Sequence, residues 1–235
     1  MIPKIIHYCW FGGKPLPKMA QKCKDSWRRY FPDYEIREWN ESNFDVQKYE
    51  YSRFCFENKQ WAYLSDFVRL VVGEKYGGLY FDTDVEVVRR PDELLDECGA
   101  YFGWETPEYV NTGLGFAAEA HHEAVRSMLE RYGTLFIDGK YQYDDGKMWG
   151  CPQLNTLALE DWGLARDGSR QEVCGAEILP VEYLCPYTDA TGELNLTDRT
   201  VSIHWFSKSP HGKMAAWRMK LMRPVRRLLK LVKRS

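Results

Sequence analysis

No Cys-x-x-Cys pair and no internal repeat, low-complexity segment or interdomain linker occurs in this chain of 235 residues. Nor does any apolar run approach the ~18 residues that read as a membrane-spanning helix. Seven cysteines stand at 9, 23, 55, 98, 151, 174 and 185, an odd number without metal spacing. They read as reduced, mostly buried thiols of a cytosolic protein, which excludes a zinc ribbon and a secreted disulfide framework. Met1 to Phe11 carries Lys4 and His7 and reads as an apolar strand, so no signal h-region is expected and a cytoplasmic location is. Acidic residues are absent from Thr200 to Ser235, where ten Lys or Arg fall, leaving 22 basic against 34 acidic side chains in the first 199 residues. That acidic remainder would repel a phosphate backbone, so nucleic acid is not an expected partner.

What is present suits one enzyme domain. The chain is long enough to bury a core without splitting, and 44% hydrophobic with 15% aromatic content excludes a disordered protein. Periodicity predicts strands at Pro3 to Cys9, Tyr34 to Trp39, Leu79 to Phe81, Tyr101 to Trp104, Gly113 to Ala118 and Val201 to Trp205. Helices are predicted at Pro17 to Arg29, Lys59 to Lys75, His121 to Tyr132 and Gln153 to Leu159. Alternating elements imply an α/β fold whose central sheet is mainly parallel and flanked by helices. Gly133 to Met148, rich in Tyr, Asp and Gly, reads as a loop near the site.

The most informative stretch runs from Ala62 to Glu86. Tyr63, Phe67, Leu70 and Val71 recur at helical spacing, Gly77-Gly78 ends the helix, and an apolar strand then delivers Asp82 and Asp84 to a turn. Two carboxylates so placed suit a divalent cation, Mn²⁺ or Mg²⁺, that prefers oxygen ligands and leaves places for phosphate. Solvated turn residues or N-caps give the same pattern. Asp66 and Arg69, three apart on the helix and flanked by apolar residues, read as a partly buried pair. An EF-hand is excluded because its sixth position, counted from Asp82, is Val87 and not Gly. A phosphatase with Asp-x-Asp places that motif near the start of its domain and continues to Thr or Val where Glu86 stands here.

Ser65-Asp66-x-x-Arg69, Gly77-Gly78-x-Tyr80-x-Asp82-x-Asp84 and Ile5-Ile6-His7-x-x-Trp10-Phe11-Gly12-Gly13 together resemble the sugar-binding-region glycosyltransferases of family 32. The resemblance implies a GT-A-type nucleotide-sugar-binding fold and a metal-dependent, retaining transferase. Its partners would be a UDP- or GDP-sugar donor and a saccharide or lipid-linked acceptor of capsular or cell-surface polysaccharide synthesis. Asp66, Arg69, Asp82 and Asp84 then carry the reaction. Tyr8, Trp10, Phe11, Tyr80, Thr83, Ser207 and Lys208 face the nucleotide and its phosphates, with Trp10 stacked on the base. His204, in an Ile-His-Trp-Phe-Ser island similar to a late family motif, would join Asp82 and Asp84 on the metal. Pro210 departs from that motif, where relatives carry Trp. Gln153 matches a family helix start near the donor. Glu105, Asn111 and Asp144 are candidates for the acceptor side, although Asn111-Thr112-Gly113 also reads as a plain turn.

Two organisational expectations remain. Residues 1–218 form the transferase domain and 219–235 a basic amphipathic helix, with Leu221, Val225, Leu228 and Val232 opposite Lys220, Arg223, Arg227, Lys230 and Arg234. That helix either docks on the core or lies on an anionic membrane surface. The non-enzymatic alternative is a sugar-binding or membrane-surface module whose acids are structural.

Overall fold

A computed structural model describes residues 1–137, 140–141 and 149–207. The predicted basic helix at 219–235, Lys208, Asp144 and most of the predicted 133–148 loop lie outside the described residues. The first half runs β1 (Ile5–Cys9), α1 (Lys18–Tyr30), β2 (Glu35–Trp39), α2 (Glu50–Glu57), α3 (Trp61–Tyr76), β3 (Gly78–Tyr80), β4 (Val85–Val87) and α4 (Asp92–Glu97). It continues with β5 (Ala100–Thr106), β6 (Tyr109–Val110), β7 (Phe116–Ala118), α5 (Glu123–Leu135) and a short ribbon of β8 (Phe136–Ile137) and β9 (Lys140–Tyr141). The last part holds α6 (Cys151–Glu160), β10 (Gln171–Val173), β11 (Ala176–Leu179), α7 (Val181–Leu184), β12 (Tyr187–Thr188), β13 (Glu193–Leu194) and β14 (Ser202–His204).

The central sheet has the order β10-β11-β5-β7-β3-β1-β2, with β6 paired to β5. Strands β2, β1 and β3 are mutually parallel, β5 and β11 are parallel, and β7 is antiparallel to both β3 and β5. Five of the seven strands on this path therefore run one way, as the alternation of strands and helices predicts. The inserted antiparallel β7 is not predicted, and the Gly113 to Ala118 strand needs correcting. Thr112–Leu114 is a 3₁₀ turn, and the strand begins only at Phe116. Gly115 separates them at φ 104°, where a Cβ would stand 2.7 Å from the Phe81 ring. That left-handed conformation interrupts the extended chain.

Two cores cover the sheet, one on each side. Helix α1 buries Ala20, Cys23 and Trp27 at 3-4 spacing, and the Trp27 indole donates to the Val85 carbonyl at 2.8 Å. Helix α3 is buried on nearly all sides, Leu64 through Gly73 being buried except for Asp66. It ends where it does because Gly77 (φ 61°) and Gly78 (φ 100°) take positive φ in crowded space. A Cβ would lie 2.5 Å from the Ala120 nitrogen at Gly77, and 2.6 Å from the Ile5 carbonyl oxygen at Gly78.

His7 braces this joint. The Trp39 indole donates to its Nδ1 at 3.0 Å, so its Nε2 carries the proton and donates to the Gly77 carbonyl at 2.8 Å. Burial pushes the imidazole down to about 4, against the pull of the Gly77 hydrogen bond. Between its ordinary value near 6.5 and about 4, the unfolded chain binds a proton that the native chain refuses. Stability is therefore expected to fall as pH drops through that window, by up to about 1.4 kcal/mol per pH unit from this group. Urea unfolding of the wild type and His7→Asn across the window checks this; an equal pH slope in both would remove His7 as the cause.

Candidate active site

Asp82 and Asp84 follow β3 at the carboxyl edge of the parallel strands, where ligands collect in open α/β sheets. The turn is closed by the Val85 N–H donating to the Asp82 carbonyl at 3.0 Å. The chain then enters β4, which pairs antiparallel with β14 in a register that sets His204 opposite Val85. Strand pairing thus brings a histidine from 120 residues downstream beside Asp84. The Trp205 N–H donates to the Asp84 carbonyl at 3.1 Å, and the Ser207 N–H to Asp84 Oδ2 at 2.7 Å. Phe206, at φ 47°, lays its ring edge-on to the imidazole with centroids 4.2 Å apart.

One ligand atom each of Asp82, Asp84 and His204 lies within 4.8 Å of the others. His204 Nε2 is 3.2 Å from Asp84 Oδ1, and its Nδ1 is buried without a hydrogen-bond partner. Burial disfavours a charged His204, but Asp84 outweighs it and holds the imidazole above its ordinary range. Burial likewise opposes the Asp84 charge, and His204 with the Ser207 N–H overcomes it, leaving that carboxyl well below the usual range. Two carboxylates and an imidazole paired with one of them form a donor set that suits a divalent cation of the Mn²⁺ or Mg²⁺ kind.

Arg69 is the centre of the neighbouring network. Only 2% exposed, it donates through Nη2 to Asp66 Oδ1 at 2.6 Å and to both oxygens of Asp82 at 3.0 and 3.2 Å. The Tyr80 hydroxyl adds a 2.8 Å bond to Asp82. Burial opposes the guanidinium charge, yet Asp82 and Asp66 raise its pKa. Burial pushes the Asp66 carboxyl up to about 6 despite the opposing pull of Arg69 and of Cys151 at the start of α6. Gly113 has no room for a side chain. A Cβ there would meet Arg69 Nη1 and Asp82 Oδ2 at 2.8 Å and Asn111 Oδ1 at 3.0 Å.

A cleft of about 170 Å³ is lined by Asp66, Arg69, Asp82, Thr83, Asp84, His204 and Phe206. A second, of about 430 Å³, is lined by Trp10, Phe11, Gly12, Lys14 and Trp61 among others, and both share Cys9, Ala62 and Ser65. Trp61 is missed by sequence reading, although it stands one helical turn before Ser65. Its indole lies against Gly12, where a Cβ at φ 90° would come within 2.9 Å.

Of the residues expected at the nucleotide, Tyr8 and Tyr80 line neither cleft, whereas Phe11 lines the larger one and Ser207 adjoins Asp84. Tyr8 lines neither cleft, because alternation on β1 sends Cys9 to the clefts and Tyr8 against Trp27, with ring centroids 5.7 Å apart. Tyr80 is buried with its ring stacked on Phe116, so it contacts Asp82 and not an open cleft. Phe11 lines the larger cleft yet is mostly buried, edge-on to Phe44. Ser207 points its N–H at Asp84.

The mainly parallel sheet, with an acid pair and a histidine at its carboxyl edge beside an aromatic cleft, has a fold of the GT-A kind. Residues 17–100 match the family described as "Glycosyltransferase sugar-binding region containing DXD motif". It is 26% identical to the mouse lactosylceramide 4-alpha-galactosyltransferase over 178 residues, covering 70% of this chain and 46% of that protein. It is 35% identical to inositol phosphoceramide mannosyltransferase 3 of Schizosaccharomyces pombe over 124 residues, 49% of this chain and 33% of that one. The chain thus spans about half the length, or less, of these two relatives. Among solved structures, the PaToxG glycosyltransferase shares the fold with a TM-score of 0.53 at 16% identity, over 68% of this chain and 69% of that one.

Proposed function

We propose that this chain is a metal-dependent, retaining glycosyltransferase that moves a sugar from a UDP- or GDP-sugar to a saccharide or lipid-linked acceptor. The observation that carries this reading is the convergence of Asp82, Asp84 and His204 beside the Arg69–Asp66 pair, in a cleft continuous with the aromatic one. The base lies in the larger cleft against Trp10, walled by Trp61. Asp82, Asp84 and His204 hold Mn²⁺ or Mg²⁺, which when bound offsets the charge that builds on a leaving diphosphate. The Ser207 segment lies beside that diphosphate. Arg69 and Asp66 hold the donor sugar's hydroxyls, with Asp82 locked between Arg69 and Tyr80 so that its free edge turns outward.

Both relatives are named for ceramide-containing substrates, which favours a lipid-linked acceptor. Among the described residues no helix is long and apolar enough to cross a membrane. The basic stripe in residues 219–235 would instead hold the enzyme peripherally at an anionic cytoplasmic face, in capsular or cell-surface polysaccharide synthesis. The test is thermal stabilisation by a panel of UDP- and GDP-sugars with Mn²⁺, followed by turnover of each binder. Binding without turnover would favour a sugar-binding module. Trp10→Ala is expected to weaken nucleotide binding by about 1–3 kcal/mol, the range for stacking on an aromatic platform. Unchanged affinity in a folded variant, measured by calorimetry, would remove Trp10 from the base site.

A further inference from the structure

Asp82 and Asp84 stand two residues apart in sequence but belong to different sheets. Asp82 follows β3, a strand of the central sheet, and Arg69 and Tyr80 both bond its carboxylate. Asp84 leads into β4, which with β14 forms a separate two-stranded sheet of three-residue strands. His204 is the last residue of that ribbon, and the chain beyond it clips Asp84 through the N–H groups of Trp205 and Ser207. A ribbon this short is marginal by itself, so the distance of Asp84 and His204 from Asp82 depends on what seats it.

Helix α1 supplies a seat. Its side chains reach three consecutive residues of β4. The Trp27 indole donates to the Val85 carbonyl at 2.8 Å, Lys22 Nζ donates to Glu86 Oε2 at 3.0 Å, and Ser26 Oγ accepts from the Val87 N–H at 2.9 Å. Glu86 carries this grip across the ribbon, because the same Oε2 accepts from the Trp205 indole at 3.0 Å. The contact is well shielded from water: the Glu86 side chain is only 14% exposed, and Trp205 is buried with its ring 5.3 Å from that of Tyr187. One carboxylate oxygen thus ties α1 to the residue that follows His204 and whose backbone holds Asp84.

We propose that Glu86 is a positioning residue of the metal site: by joining α1 to Trp205 it holds Asp84 and His204 at the spacing from Asp82 that a divalent cation requires. This rests on reading Asp82, Asp84 and His204 as a metal site. Glu86 acts through Trp205 and is not itself a ligand. Groups that orient metal ligands from outside commonly set affinity by 10-fold or more, because a misplaced ligand must be moved back when the ion binds.

The experiment measures Mn²⁺ binding to the full chain by electron paramagnetic resonance of the free ion, alone and with UDP or GDP, beside the melting temperature without metal. Glu86→Leu removes the acceptor, and Trp205→Phe removes the donor while leaving every charge in place. Each is expected to weaken Mn²⁺ binding by about 10-fold. Glu86→Gln, whose amide oxygen still accepts from the indole, is expected to stay within about threefold of the wild type. A lowered melting temperature with Mn²⁺ affinity within about twofold of the wild type, in either Glu86→Leu or Trp205→Phe, makes the contact structural only and overturns the proposal. A Gln variant as weak as the Leu variant makes charge and not the Trp205 bond the cause, and overturns it as well. A wild type that binds no Mn²⁺, with or without nucleotide, overturns the metal reading beneath it.

Discussion

Asp84→Asn is expected to lower sugar transfer by about 10²–10³-fold, the cost of losing one preorganised electrostatic group at a reacting centre. Asp84 is buried, with one oxygen 3.2 Å from His204 Nε2 and the other accepting the Ser207 N–H at 2.7 Å. Asn keeps the size and removes the charge, so a donor set of two carboxylates and an imidazole becomes one carboxylate, an amide and an imidazole. Amide oxygens are weaker ligands for a hard cation, and His204 loses the neighbour that raises its pKa. Stability at neutral pH should fall as well, because His204 and the Ser207 N–H favour the buried Asp84 charge and Asn leaves His204 without its ionic partner. Two measurements check this: kcat/KM with Mn²⁺, and the thermal shift produced by nucleoside diphosphate with and without Mn²⁺. Full activity in the variant, or undiminished wild-type turnover in EDTA, would reduce the acid pair to a turn.

The residues that set this chemistry differ in how far sequence reveals them. The α/β class and the helix–glycine–strand order around Asp82 follow from periodicity and from Gly77-Gly78, because local spacing alone dictates them. The pairing of Asp66 and Arg69 on one helix face is likewise local. His204 is another matter, since its approach to Asp84 depends on the register of β14 against β4, and no local rule sets a register between strands over 100 residues apart.

The failures have the same origin. Tyr8 reads as a cleft residue because it belongs to the segment leading into Trp10, but the period of two on a strand assigns it to the opposite core. Tyr80 is expected to meet the nucleotide and instead spends its hydroxyl on Asp82. The wall formed by Trp61 arises only when Gly12, at φ 90°, brings the β1 turn against the start of α3. The bulge at Glu105 depends on an offset of one residue between β5 and β6, which composition does not encode.

Arg69→Met is expected to lower folding stability by about 3–5 kcal/mol, the cost of breaking a buried ion pair by removing one partner. Among the described residues the guanidinium is the one group that bonds both Asp66 and Asp82, and it also donates to the Ser65 carbonyl at 3.3 Å and lies over the Tyr80 ring at 5.0 Å. Met fills a similar volume but leaves two carboxylates together, one of them already pushed up to about 6 by burial. Without Arg69 the Asp66 carboxyl rises further, so the native state holds a proton that the unfolded chain, titrating near 3.8, has released. A carboxyl with a raised native pKa makes folding less favourable as pH rises through the window between the two values. The deficit of the variant is therefore larger near about pH 8 than near about pH 5. Adding Asp66→Asn to Arg69→Met removes the titrating charge and should restore part of the loss. Urea unfolding of the wild type, single and double variants at both pH values is the measurement. A deficit under about 1 kcal/mol, or one equal at both pH values, would mean that the two carboxylates do not depend on Arg69 for their burial.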